Sequence, residues 1–401
     1  MLRSIAVVFT VFSVLGCAPR KPALPDDVSS VEDFERYVES IVSTGDPPGI
    51  SVAIVRDTGL VYAHGFGWAD RPHERPARPE TVYQWWSITK VFTATAVLQL
   101  VEAGKVELDA PVKQYLDFFK PKNAEDYEPA TVRQLLSHSA CLNDVGMAIV
   151  GWIHFDPADR RPQLQFAEEK LREHGKIVCN PGSQGRYSNL GYIVLAALIE
   201  KVTGQGYEAY VQEHIFEPLR MRNSNFVYTV AMREHEAAGS HPKNLMSWFA
   251  FKFFLDEKRA IRELVDGRYW FQKLYSDQKG STGAIGPATE LGRFATALLR
   301  GGELDGVRIL SRESVELMMR PVVRISKGAP RRGMQFGLAW FREDDEGRVM
   351  LSHRGGGMAF RAMLALYPDE KLGVVVLSNG TYLDGDGGAR IAKAAAEAIA
   401  N

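Results

Sequence analysis

The sequence predicts an α+β fold: an antiparallel sheet flanked by N- and C-terminal helices, with an inserted all-helical domain. Three observations predict it. Strand-like runs stand near both ends of the chain and are joined by short connections, which favours antiparallel pairing. The stretch between them, from Ser87 to about Arg300, reads mainly as helix. The chain is also long enough, at 401 residues, for one large domain with insertions or for two or three domains. Its 45% hydrophobic and 24% charged residues match soluble globular proteins and exclude a disordered chain, a collagen and a multi-span membrane protein. Lys plus Arg number 48 and Asp plus Glu 49, a net charge of −1, so no nucleic-acid partner is expected.

The elements follow in chain order. Residues 1–16 read as a signal peptide: Arg3 precedes the apolar run Ile5–Leu15, which is too short to span a bilayer. The run ends in Val14-Leu15-Gly16-Cys17, which resembles the lipobox of bacterial lipoproteins, so Cys17 is the expected lipidation site. An ordinary signal peptide with an incidental cysteine is the alternative. Residues 17–30, with Pro19, Pro22 and Pro25, read as a tether. The protein is then expected to be exported, on the periplasmic side of a bacterial membrane and held there by lipid. An oxidising compartment permits a Cys141–Cys179 disulfide, and two free buried thiols stay equally open.

A helix is expected over Val31–Val42, capped by Ser29 or Ser30, with an apolar stripe of Val31, Phe34, Val38 and Ile41. Gly49–Val55 and Leu60–Phe66 read as a hairpin around Arg56-Asp57-Thr58-Gly59. Strands return at Gln335–Phe341, Val349–His353, Phe360–Tyr367 and Leu372–Ser378, and the Ala-rich Gly388–Ala400 closes the chain as a helix. Residues 31–80 and 325–401 therefore form one discontinuous sheet domain. Residues 81–324 form the mainly helical one, including an aromatic-rich insertion at 241–279. The cleft between them is the default site.

Three segments carry chemistry. Ser87-Ile88-Thr89-Lys90 opens a helix that is apolar all round, from Val91 to Val101, and such a helix is buried. Lys90 lies one turn on from Ser87, on the same face. Burial lowers a lysine's pKa, which lets it take a proton from a hydroxyl. The pair is a coherent nucleophile and base, although an N-cap serine and a surface lysine would share the pattern. Tyr187-Ser188-Asn189 follows a Gly- and Pro-rich turn and leads into an apolar helix over Leu190–Val202. Tyr187 and Asn189 can face one cleft; a tyrosinate beside the lysine would act as general base, and Asn189 would hold a carbonyl or orient the lysine. A turn with an asparagine N-cap would look the same. His353-Arg354-Gly355-Gly356-Gly357 ends a strand, and its glycines let a substrate approach the backbone. An edge-strand N–H there would complete an oxyanion hole with the N–H of Ser87; a glycine-rich turn is the plain alternative.

Ser87-x-x-Lys90, Tyr187-Ser188-Asn189 and His353-Arg354-Gly355 resemble, in order and approximate spacing, the class C β-lactamase-like and penicillin-binding-protein-like serine hydrolases, which include esterases and DD-peptidases. The likeness runs from about Pro48 to Ala400, with support from Leu135-Leu136-Ser137-His138-Ser139 and Gly280–Gly302. It implies a β-lactamase/transpeptidase-like fold, Ser87 as acylated nucleophile and Lys90 and Tyr187 sharing the proton work. Asn189, His353, Gly355 and Gly356 would bind substrate. His353 stands where β-lactamases carry the lysine of Lys-Thr-Gly, which points toward the esterase and peptidase branches; Arg354 is a possible substitute cation. Ala140-Cys141 departs from the family's usual Ser-Gly.

Nine aromatics crowd the segment from Trp248 to Tyr275. Ordinary helical core is one reading; a hydrophobic lid or acyl pocket resting on the membrane is the other. The absence of G-x-S-x-G argues against an α/β-hydrolase, and no H-E-x-x-H, Walker A or dinucleotide motif occurs. The expected function is a cofactor-free, metal-free serine hydrolase acting on an ester. The alternatives are a DD-peptidase, a β-lactamase, or a non-catalytic binder of cell-wall peptides. Its partner is a small-molecule or peptide substrate, and the sequence leaves the oligomeric state open.

Overall fold

The computed structural model describes residues 22–23, 25, 28–146, 151–158, 161–254, 256–327, 333–345, 347–381 and 386–400. The expected signal peptide and Cys17 lie outside the described residues. Among the described residues no helix is long and apolar enough to cross a membrane.

A ten-stranded sheet organises the chain. In spatial order its strands are Arg75–Pro76, Gly59–Asp70, Gly49–Arg56, Leu372–Ser378, Arg361–Tyr367, Arg348–Gly356, Phe341–Asp345, Gln335–Phe336, Val323–Lys327 and Gly185–Arg186. All pairs are antiparallel except the last, which is parallel. Gly49–Arg56 pairs with Leu372–Ser378, so the two ends of the chain meet at the middle of the sheet. The expected strand Gln335–Phe341 is two strands, with a turn between Phe336 and Phe341 where Ala339 adopts φ +69.

Strand alternation sorts the two faces. Ile50, Val52 and Ile54 point to one side, where they join Phe34, Val38 and Ile41 of the first helix, Val31–Val42, and the alanines of the last, Gly387–Ala400. Ser30 caps the first helix by accepting from the Asp33 N–H. Ala53 and Val55 point to the other side, where they meet Leu291 and Ala295 of helix Ala288–Leu299. That second core continues without a break through helices Thr89–Glu102 and Asn189–Thr203, so the site lies over one shared interior.

The stretch expected to be helical carries small sheets as well. Val82–Gln84 pairs with Ile285–Pro287. In the aromatic segment, helix Leu245–Phe254 is followed by a hairpin, Ile261–Val265 with Arg268–Phe271, that forms a three-stranded sheet with Ser240–Pro242. The reading of 241–279 as ordinary helical core is thus corrected. Asp266 and Gly267 both have positive φ, the two-residue turn that an Asp-Gly pair favours between strands.

Cys141 and Cys179 form a disulfide across a separation of 38 residues. Closing a loop of that size restricts the unfolded chain by up to about 4 kcal/mol in the chain-entropy account.

Candidate active site

Ser87 sits on a tight helical turn, Trp86–Ile88, that runs directly into helix Thr89–Glu102. From Thr81 to Leu98 every residue is buried except Ser87. The apolar sequence drives this helix through the core and leaves one hydroxyl at its mouth. The turn is held by Trp85 N–H donating to the Ala284 carbonyl (3.0 Å) and by the Thr89 hydroxyl donating to the Trp86 carbonyl (2.6 Å). Trp86 has φ +47, a left-handed conformation that is unusual for a bulky residue and stores strain beside the serine.

Lys90 is fully buried. Its Nζ lies 3.0 Å from Ser87 Oγ, 2.8 Å from Asn189 Oδ1 and 3.0 Å from the Ser281 carbonyl. Two of these neighbours are carbonyl oxygens that only accept, so they take two N–H groups. The third contact is to Ser87 Oγ, so loss of one proton would turn the amine's lone pair to that hydroxyl. Burial holds the Lys90 pKa well below the usual lysine range, with the Asp144 carboxylate pulling it partly back up.

The Tyr187 hydroxyl stands beside Ser87, and the Tyr187 ring lies under the Lys90 Nζ, 4.8 Å from Nζ to centroid. Burial pushes its phenol up, above the usual tyrosine value, with the Ser87 hydrogen bond opposing that shift. This corrects the expectation of a tyrosinate: the resting group is a phenol that carries its proton. His138 packs on the ring at 4.3 Å, and its Nδ1 accepts from the Ser188 N–H at 3.1 Å. Ser188, not Asn189, caps the following helix, through Gly191 N–H.

Asn189 is locked by a residue the sequence did not single out. Asp144 Oδ1 accepts from both the backbone N–H (3.0 Å) and the Nδ2 (3.2 Å) of Asn189, leaving Asn189 Oδ1 turned to Lys90. Asp144 stands three residues after Cys141, and the disulfide ties its loop to the segment that leads into Tyr187. The only local signal was that closeness to Cys141; the contact with Asn189 spans 45 residues.

His353 and Arg354 part company. Successive strand residues face opposite sides, and His353 is buried on the side of Lys90 and Tyr187. Arg354 pairs instead with Glu343 (3.5 Å) and Asp386 (3.9 Å), so it is not a substitute cation at the cleft. His353 Nδ1 donates to the Arg354 carbonyl, since that oxygen can only accept. Burial, then the Lys90 charge, lowers the His353 pKa to about 3, so the ring is neutral. The strand is an interior one, which corrects the expected edge. Its pairing with Phe341–Asp345 nevertheless ends at Ser352, so His353–Gly356 are unpaired on that side. A Cβ on Gly355 would overlap the Trp85 carbonyl, and one on Gly357 the Trp86 ring; at Gly356 it would sit 3.3 Å from the Arg361 side chain. The first two glycines are what bring this strand against the Ser87 turn.

A hydroxyl within reach of a buried amine is an arrangement that acyl transfer can use, and the sheet-and-helix frame that carries it is the β-lactamase/transpeptidase fold. The chain belongs to the Beta-lactamase family, whose model matches residues 34–398. It is 26% identical over 329 residues to Penicillin-binding protein 4* of Bacillus subtilis (strain 168), covering 80% of this chain and 65% of that protein. It is 35% identical over 185 residues to Esterase EstB of Burkholderia gladioli, covering 44% and 47%. The chain thus spans roughly half to two thirds of the length of these curated relatives. Among solved structures, an octameric penicillin-binding protein homologue from Pyrococcus abyssi is 28% identical with a TM-score of 0.71, covering 91% of this chain and 76% of that one.

Gly355→Ala should push the Trp85 carbonyl, and with it the Ser87 turn, out of place. We expect a loss of ~1–3 kcal/mol in urea unfolding. Gly356→Ala, which meets only the flexible Arg361 side chain, should cost less than about 1 kcal/mol. Equal losses at the two positions would refute the close-approach account.

Proposed function

We propose that the protein is an exported, lipid-anchored serine hydrolase that cleaves carboxylic esters through an acyl-enzyme. The observation that carries the chemistry is the hydrogen-bond set of Lys90: two carbonyl acceptors and a serine hydroxyl around a desolvated amine.

In this reading the amine takes the Ser87 proton as Oγ attacks the ester carbon. The N–H of Ser87, a first-turn group with no intrahelical acceptor, and the backbone along Gly355–Gly356 stabilise the oxyanion. The C–O bond to the alcohol breaks, and Tyr187, a phenol next to Ser87, passes the proton on to the leaving oxygen while Lys90 resupplies it. Water then attacks the acyl group with the same residues acting in reverse, and Ser87 is restored. Asn189 orients Lys90, held in turn by Asp144.

The neutral His353 supports an ester over a peptide or β-lactam bearing a carboxylate. No positive charge stands at that position, Arg354 is turned to Glu343 and Asp386, and Arg361 donates to the Gly357 and Phe360 carbonyls. The similarity to an esterase over part of the chain agrees with this. The lipid anchor rests on the Val14–Cys17 motif alone.

Three outcomes are expected. A panel of p-nitrophenyl esters, D-Ala-D-Ala peptides and nitrocefin should show ester turnover that Ser87→Ala lowers by a factor on the order of 10³ or more, together with loss of fluorophosphonate labelling at Ser87. Turnover of the peptides alone would favour the peptidase reading; absent turnover and labelling would leave a binding protein. Asp144→Asn keeps the acceptor but removes the charge that raises the Lys90 pKa. Since the active form is the neutral amine, the acid limb of kcat/KM should move to lower pH; an unmoved or alkaline-shifted limb contradicts the assignment. Cys17→Ala should shift the protein from the membrane fraction to the soluble fraction of expressing bacteria, and its retention would count against the anchor.

A further inference from the structure

We infer that the helix Leu245–Phe254 is a docking face for an anionic lipid bilayer. The inference is independent of the acyl chemistry proposed above.

The helix is firmly mounted at one side. Phe251 is buried and packs edge-on against His241, Tyr269 and Phe271. Ser247 and Asn244 exchange hydrogen bonds at its first turn, and the Ser247 hydroxyl also reaches the Pro242 carbonyl. Its other side is turned to solvent and is apolar. Leu245 is 81% exposed, Met246 62%, Phe249 53% and Trp248 39%. Spaced i, i+1, i+3 and i+4, these four form one patch. Clusters of large exposed apolar side chains mark interaction surfaces.

Charge selects the occupant. Between residues 243 and 254 the charged side chains are Lys243 and Lys252, both exposed, and Lys252 lies over the Trp248 ring at 4.8 Å. Lys258 and Arg259 are exposed just beyond; Asp256 and Glu257 are the acidic residues of that stretch. Aromatic and aliphatic tips ringed by lysines are the chemistry that inserts into an acyl-headgroup boundary and meets anionic headgroups. A protein partner of ordinary affinity would need a wider surface than one exposed helix face.

The face also stands where a bilayer is within reach of both the cleft and the chain's start. Phe271 N–H donates to the Gly239 carbonyl, and a Cβ on Gly239 would abut Phe360, which lies beside Gly357 and so beside the Trp86–Ser87 turn. On the other side Arg268 pairs with Asp46 at 2.9 Å, just past the first helix. That helix is roughly 18 Å long. Val28 is already buried beside that helix, and ten residues between it and position 17 could span at most about 35 Å, so the attachment at residue 17 proposed above would let the helix touch the same membrane.

The test is flotation of the full-length protein with sonicated vesicles of phosphatidylcholine alone or with one quarter phosphatidylglycerol. The parent chain is compared with a Leu245→Ser, Trp248→Ser, Phe249→Ser variant and with Lys243→Gln, Lys252→Gln; all of them, the parent included, carry Cys17→Ala so that no lipid anchor contributes to flotation. We expect the apolar variant to lose at least about tenfold in partitioning. The lysine variant should bind phosphatidylcholine unchanged and lose most of the gain from phosphatidylglycerol. Unchanged urea midpoints and unchanged p-nitrophenyl ester hydrolysis in solution would show that the fold is intact. The inference fails if the apolar variant floats like the parent, or if phosphatidylglycerol makes no difference. It fails equally if sedimentation shows self-association of the parent that the apolar variant abolishes, which would make the face a contact between copies.

Discussion

The rest of the structure depends on keeping an amine dry. Lys90 gives up its hydration inside the core, and burying an ammonium without partners is prohibitive. The fold answers by bringing three separate stretches of chain to one nitrogen: the Ser87 turn, the start of helix Asn189–Thr203, and the carbonyl of Ser281. The same burial that makes the lysine expensive holds its pKa well below the usual range, as the proposed role of base requires. Asp144, one step further out, tempers the effect through its charge and fixes Asn189 through two hydrogen bonds.

A second constraint is the approach of two backbones. The strand Arg348–Gly356 comes against the Ser87 turn so closely that neither Gly355 nor Gly357 has room for a Cβ. Trp86 accepts a left-handed conformation at the same place. Surrounding packing must over-determine such a conformation for it to persist, and here the ladder of Val82–Gln84 with Ile285–Pro287 and the Thr89 hydroxyl do so. The pleat of the strand then divides the work between neighbours: His353 goes inward and becomes neutral, while Arg354 goes outward to Glu343. One residue of slip would exchange their faces.

Polar support extends from the site to the surface in graded fashion. His138 packs beneath Tyr187 and accepts from the backbone that carries Ser188, and the disulfide at Cys141 pins the loop bearing Asp144. His138 touches Tyr187 beside Ser87, Asp144 touches the Asn189 that reaches Lys90, and the disulfide stands one step further out. The precision of the cleft therefore comes from contacts among segments far apart in the chain, with few contributions from neighbours in sequence.

What was legible in the sequence was local. The helix Val31–Val42 follows from its stripe, the flanking hairpin from its turn, the buried helix from apolar residues on every side, and the Ser87–Lys90 pairing from one helical turn. Periods of 3.6 and 2 and the short reach of a turn are written in the chain itself. The hairpin at Ile261–Phe271 was also written there, in Asp266-Gly267, but aromatic density obscured it. Tertiary structure alone decided that Cys141 bonds Cys179, that Asp144 holds Asn189, that Tyr187 stays a phenol, and that Arg354 turns away from the cleft. Those outcomes rest on burial and on contacts across tens to hundreds of residues, and neither desolvation nor long-range distance is a property of a sequence until the chain has folded.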